Sequence, residues 1–168
     1  MTRPKDAAAR YVEIAADRFA AEGFHGVSLA SIARDAGVSK QALLHFFGTK
    51  ERLYGAVLRA LSARLLAQVE ATEERSPEAH LAEVFTRQLI DEETGDRDAR
   101  LALRALLDGD AQAQDWPLRP YLDRLVRLLK SSPRWSDASD QDALAAIYQV
   151  VGMVQYFAVS GPVLSGMY

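Results

Sequence analysis

Between Ser28 and Phe47 the chain reads SLASIARDAGVSKQALLHFF. Its residue types and spacing suit one kind of chemistry: hydrogen bonding from the start of a short helix to the edges or backbone of a polyanion. Ser28 caps a short helix ending near Ala36, and Ser39 caps another through Phe47, so that the N-terminus of the second can face phosphates or base edges. Ile32, Leu43 and Phe46 supply apolar residues where the two helices must meet, and the small Ala33 lets them cross closely. Gly37 falls in the turn, where a positive φ is needed and a Cβ would clash, and Val38 plugs that turn against the core. The spacing predicts a helix-turn-helix over residues 28–47.

Other chemistries lack their residues. The absence of cysteine removes disulfides, thiol nucleophiles and Cys-based zinc or iron–sulfur sites. The three histidines, His25, His45 and His80, lie far apart, with no His-x-x-His or Glu-x-x-His pair, no Gly-rich phosphate loop and no nucleophile elbow. The expectation is a protein that is not an enzyme and carries no cofactor or metal. Residues 1–60 hold 9 Lys/Arg against 6 Asp/Glu and residues 61–168 hold 11 against 17, so only the N-terminal part is suited to approach a polyanion. With 168 residues, 49% of them hydrophobic, the chain fits one domain or two tightly joined ones and is neither a disordered tail nor a fibrous repeat. Met1 is followed by polar, charged residues rather than a signal peptide, and a cytoplasmic location is expected.

Almost every segment reads at helical period, and none alternates long enough for a strand, which predicts an all-α fold. A first helix, about 6–22, buries Ala8, Val12, Ala15, Ala16 and Phe19, with Gly23 ending it in a left-handed conformation. After the helix-turn-helix, Thr49 caps a long fourth helix that carries Leu53, Val57, Leu61 and Leu65 on one face and bridges the basic and acidic parts. A fifth helix, about 77–90, turns Leu81, Val84, Phe85 and Leu89 inward, and the acidic loop from Asp91 to Asp96 closes it. A sixth, about 98–107, stops at Asp108-Gly109-Asp110. A seventh follows Pro117 with Tyr121, Leu122, Leu125, Leu128 and Leu129 in one stripe. The last starts at the capping pattern Ser139-Asp140-Gln141-Asp142 and runs to about Ser160, before Gly161-Pro162.

Residues 11–58, including FAAEGFHGVSLASIARDAGVSKQALLHFFGTKERLYGAVL, resemble the N-terminal domain of the TetR family of transcriptional repressors. The resemblance rests on Phe-Ala-x-x-Gly-Phe, the IA…AGVSK turn, the Phe-Phe end of the third helix and the Lys-Glu start of the fourth. It implies a DNA-binding unit over 1–50, and a ligand-binding and dimerisation unit over 51–168. It also places Lys40, Gln41, Ala42 and His45 where the family's recognition helix meets the major groove. Lys40 and Gln41 suit guanine and adenine edges, Ala42 a thymine methyl, and His45 a base or phosphate. Lys50 matches the family's phosphate-contacting lysine, and Ser28 can reach a phosphate as well as cap. Leu44 departs from the pattern, since a tyrosine usually offers its hydroxyl to a phosphate there, and Ala30 stands where some members place a base-reading arginine. Arg3, Lys5 and Arg10 suit an arm or first turn along the backbone or minor groove, or equally a solvated N-terminus.

The resemblance further implies a small-molecule effector and a homodimer. The segment Ala143–Tyr168 carries no charge, and its core LAAIYQVVGMVQYFAVS is apolar on nearly all sides, so it must be surrounded. Gln149 and Gln155 on different faces, and a length that barely meets the bilayer requirement, weigh against a membrane span. Ala145, Gly152 and Val159, spaced at seven, make a seam of small residues for a second copy. The family completes its dimer bundle with one more helix, so the chain is either shortened after Tyr168 or has a reduced bundle. Candidate effector contacts are Phe85, Leu89, Leu107, Tyr121, Leu125, Tyr148, Gln149 and Met153, each also able to serve as ordinary hydrophobic core. To these is added Arg104, whose place in the apolar run LALRALL requires an anionic partner, a ligand carboxylate or Asp108. The expected function is a ligand-responsive repressor on a palindromic operator. The alternative is a TetR-like helical ligand binder with weak or lost sequence-specific DNA binding.

Overall fold

Serine and threonine caps set most of the helix starts. Ser28, Ser39, Thr49, Ser76 and Ser139 each accept the backbone N–H three residues on, at 3.0, 3.1, 3.2, 3.2 and 3.1 Å. The computed structural model describes residues 4–72, 76–91, 95–108 and 116–167. Arg3, residues 92–94, Gly109-Asp110 and Tyr168 lie outside them, as do the side chains of Lys5 and Pro162. The elements are α1 (Pro4–Gly26), α2 (Leu29–Ala36), α3 (Lys40–Phe47), α4 (Lys50–Glu70), α5 (Pro77–Ile90), α6 (Gly95–Leu107), α7 (Arg119–Lys130) and α8 (Asp140–Ser165), with no strand among the described residues. The fold is all-α, as the periodicity predicts.

Gly37 does what the turn requires. At φ 68° and ψ 32° it is left-handed. Its N–H bonds to Arg34 O at 3.1 Å, and Val38 N–H bonds to Ala33 O at 2.9 Å, which satisfies the last carbonyls of α2 in a Schellman pattern. Val38 packs against the core. Gly23 breaks α1 where expected and takes the positive φ, 72°, that favours glycine, but its ψ of 174° departs from the left-handed helical value, and a further helical turn follows to Gly26. The end of α8 is a second difference, since the helix passes through Gly161-Pro162 to Ser165. A proline three residues from a helix end removes a single amide donor from the ladder.

Two cores share one helix. Phe19, Ile32, Leu43, Leu53 and Leu61 are fully buried between α1 and α4, and Leu101 and Ala105 of α6 join the same cluster. Val69, Val84, Leu125, Ala143 and Ile147 form the other cluster, among α4, α5, α7 and α8. The stripe Leu53, Val57, Leu61, Leu65 on α4 reaches from one to the other, Leu65 packing against both. Phe46 corrects the expected core face of α3. It is 39% exposed and meets Tyr11 edge-on with ring centroids 5.3 Å apart, because Leu43 and, on the next turn, Phe47 fill the space under the helix. Within α8, Asp140–Gly161 is long and apolar enough to cross a bilayer by length and composition, with mean hydropathy 1.5. Its Ala143, Ile147 and Val154 pack inward while Met153, Tyr156 and Phe157 face outward.

Open space surrounds the position a Cβ would take at Gly37, so backbone strain alone decides its replacement. Gly37→Ala is expected to lower unfolding free energy by about 1–2 kcal/mol, and Gly37→Asn by less, since Asn tolerates the left-handed region. Urea denaturation of the two variants checks the order.

Candidate DNA-reading surface and effector cavity

On α3 the buried Leu43 anchors the helix, and Lys40, Gln41 and His45 stand exposed on the other side with Leu44, while Ala42 is half-buried. The capped N-terminus therefore faces away from the core with a cation, a carboxamide and an imidazole on one surface. Ser28 is exposed, and its Oγ is engaged in a reciprocal capping box with Ser31. Arg10 is not free to act as an arm, because its guanidinium donates to the Ala36 carbonyl at the end of α2. Arg18 likewise bonds Asp35, and its guanidinium holds that carboxyl below the usual carboxylate range. Both arginines hold α2 onto α1.

Lys50 lies elsewhere than a phosphate contact requires. Its Nζ donates to Phe24 O at 2.9 Å and Val27 O at 3.0 Å and stands 4.2 Å from the centre of the Phe24 ring. It is half-buried and clamps the connection between α1 and α2, with one N–H remaining.

Arg104 is also placed differently from its expected role as a pocket anchor. Its Nε donates to Ala20 O at 2.8 Å and its Nη2 to Ala21 O at 2.6 Å, and Asp108 Oδ2 accepts Phe24 N–H at 2.8 Å. The break at Gly23 leaves the last carbonyls of α1 without intrahelical donors, and α6 supplies them. Tyr54 completes this junction with ring centroids 4.8 Å from Phe19 and 5.2 Å from Phe24, and burial pushes its hydroxyl up to about 12. Toward the start of α6, Arg64 bonds Asp98 at 2.8 Å and Glu13 at 3.0 Å, and Arg97 bonds Glu13 at 3.1 Å and Asp17 at 3.2 Å. Both ends of α6 are thus tied to α1.

Behind α6 lies a cavity of about 310 Å³. Ala102, Leu103 and Leu106 of α6 form one wall. Tyr121 and Leu122 of α7 form another, with Trp116 and Leu118 ahead of them. From α8 come Tyr148, Val151, Gly152, Gln155 and Tyr156, and from α4 Leu65. Of the expected effector contacts, Tyr121 and Tyr148 line this cavity. Phe85 and Leu125 are buried in the second core, while Leu89, Leu107, Gln149 and Met153 are exposed outside it. Helical phase accounts for the miss: in α6 the cavity face is Leu103 and Leu106, so Leu107, one residue on, points away. The i, i+3 pair Leu103/Leu106 was the readable signal, but it is the same signal any core helix gives. No group of three His, Cys, Asp or Glu able to hold a metal occurs among the described residues.

An outward-facing capped helix in a helix-turn-helix, joined through a long helix to a helical unit with an apolar cavity, is the architecture of a DNA-binding transcriptional regulator. The sequence profile of bacterial regulatory proteins of the tetR family matches residues 12–57. The HTH-type transcriptional regulator RutR of Escherichia coli K12 is 31% identical over 152 residues, covering 88% of this chain and 72% of its own. The HTH-type transcriptional repressor Rv3405c of Mycobacterium tuberculosis H37Rv is 29% identical over 163 residues, covering 97% and 78%. The crystal structure of AibR in complex with isovaleryl coenzyme A and operator DNA superimposes with a TM-score of 0.67 at 19% identity, over 90% of this chain and 85% of that one. The chain belongs to the TetR family of DNA-binding transcriptional regulators, a family of regulators rather than enzymes.

Arg104→Met orphans two helix-end carbonyls and is expected to lower stability by about 1–3 kcal/mol, measured by urea denaturation. Tyr54 and Tyr121 are both raised to about 12 by burial, above the ordinary value near 10 that they regain on unfolding. The stability they contribute is complete below pH 10 and is lost as pH rises toward 12. Melting temperature should fall across that window, and Tyr54→Phe or Tyr121→Phe should flatten the fall.

Proposed function

We propose that this protein is a ligand-responsive repressor, in which residues 1–50 read a palindromic operator as part of a homodimer and residues 51–168 release it when a small, mostly apolar effector binds. The observation that carries the reading is the double role of α6. One face, Ala102, Leu103 and Leu106, walls the cavity; the other, with Arg104 and Asp108, grips the end of α1 beneath the helix-turn-helix. An effector that repositions α6 then moves α1, and α4 follows because its stripe packs in both cores. Release requires the effector to prefer the non-binding dimer, about 1.4 kcal/mol for each tenfold change.

One short recognition helix reads too few base pairs alone, which favours paired copies on a two-fold site. The outward Met153, Phe157 and Val163 of α8 and its exposed Ala145 offer the face for a second copy. A covered α8 also makes membrane insertion unnecessary, and the reading places the protein in the cytoplasm with its DNA. Co-occurrence of operator and small molecule in the AibR complex, and the repressor name of the mycobacterial relative, agree with this assignment.

A second reading, a family member with weak or lost specific DNA binding, is favoured by two observations: Leu44 offers no hydroxyl to a phosphate, and Lys50 is turned onto Phe24 O and Val27 O. Selection from random duplex DNA separates the two, a palindrome supporting repression and no enrichment supporting the second reading. On a selected site, binding should weaken steeply with salt, and Gln41→Ala should cost about 1–3 kcal/mol and relax specificity, as band-shift titrations on specific and random duplexes will read. Lys50→Ala should weaken binding to all sequences alike, through loss of its clamp on the connection between α1 and α2.

A further inference from the structure

No charged side chain among the described residues lines the 310 Å³ chamber, and Tyr121 and Gln155 bring polar groups to its wall. A smaller chamber of about 40 Å³ adjoins it, the two sharing Leu65, Ala102, Tyr121, Val151 and Gln155 as lining. The smaller one adds Gln68, Gln88, Asp91 and Asp98. Gln68 Oε1 is buried there with no hydrogen-bond partner among the described residues. The Tyr121 hydroxyl accepts from Gln88 Nε2 at 3.0 Å, which leaves its own proton to be donated. Gln155, at the junction of the two chambers, carries both a donor and an acceptor.

Resting on the reading of this cavity as the effector site, we propose that its ligand is an uncharged molecule with an apolar body and an amide-like head, one that donates to Gln68 and accepts from Tyr121 or Gln155. An unpaired buried acceptor destabilises the empty cavity until a donor reaches it, so the head is selected by hydrogen bonding and the body by burial. An anion is rejected. Among the described residues neither chamber is lined by lysine, arginine or histidine, and Asp91 and Asp98 border the smaller one. Nor is a cation selected, since Asp98 is already held by Arg64 at 2.8 Å and Arg97 at 3.3 Å.

The test uses one body with four heads: phenylbutanamide, phenylbutanoate, phenylbutylamine and headless butylbenzene, each titrated into the full chain by calorimetry. The amide should bind about tenfold more tightly than the hydrocarbon, the worth of one good neutral hydrogen bond, and more tightly still than the acid. Gln68→Leu should erase the amide's advantage while leaving butylbenzene unchanged, and Gln68→Glu should transfer the preference to the amine. Binding of the acid or the amine to the unmodified protein as tightly as the amide, or an amide preference that survives Gln68→Leu, overturns the proposal while leaving the effector cavity standing. Failure of all four, butylbenzene included, overturns the cavity reading and this proposal together.

Discussion

A helix that ends inside a protein leaves carbonyls that something must satisfy, and in this molecule the end of α1 is where that requirement joins the two halves. Gly23 breaks the helix, and Arg104 of α6 donates to Ala20 and Ala21. Asp108 takes up the Phe24 amide, and Lys50 of α4 clamps the carbonyls of Phe24 and Val27. Two elements distant in sequence, α4 and α6 with its exit, therefore converge on five backbone groups of four residues. Bonds of this kind are directional and hold only over a few tenths of an ångström, so they transmit displacement where apolar packing alone would let one helix slide on another.

This junction explains why the basic residues of the N-terminal part are not all available to a polyanion. Arg10 and Arg18 secure α2 to α1, and Lys50 secures the loop between them. What is left outward on α3 is Lys40, Gln41 and His45, beside an apolar Leu44. The reading surface is thus narrow and the scaffold beneath it stiff. Part of the modest positive charge of residues 1–60 serves the fold and not the partner.

The C-terminal half is built on the opposite principle. Its cavity is bounded by α4, α6, α7 and α8, so no single helix defines it, and it sits where two cores meet without merging. Leu65 packs against both clusters and also lines the cavity. A ligand bound there would take the place of contacts the two cores do not make with each other, and would touch both. Ion pairs from Arg64 and Arg97 to Glu13, Asp17 and Asp98 tie the other end of α6 to α1, so α6 is held at two points along its length.

The sequence by itself determined the helices and the helix-turn-helix, because caps, a glycine turn and apolar periodicity are local rules that act over three to seven residues. Ser28, Ser39, Thr49 and Gly37 each do what their type and spacing predict. The exposed face of α3 was legible for the same reason. Tertiary structure alone decided what long polar side chains and helix faces meet. Arg104 in an apolar helix signalled a buried partner, but the partner is a set of carbonyls more than eighty residues earlier, and no local rule points across that distance. The cavity was unreadable for a related reason. A leucine that lines a void and a leucine that fills a core have the same spacing and hydropathy, and only the packing of several helices leaves space beside Leu103 and Leu106 while it closes around Leu125 and Phe85.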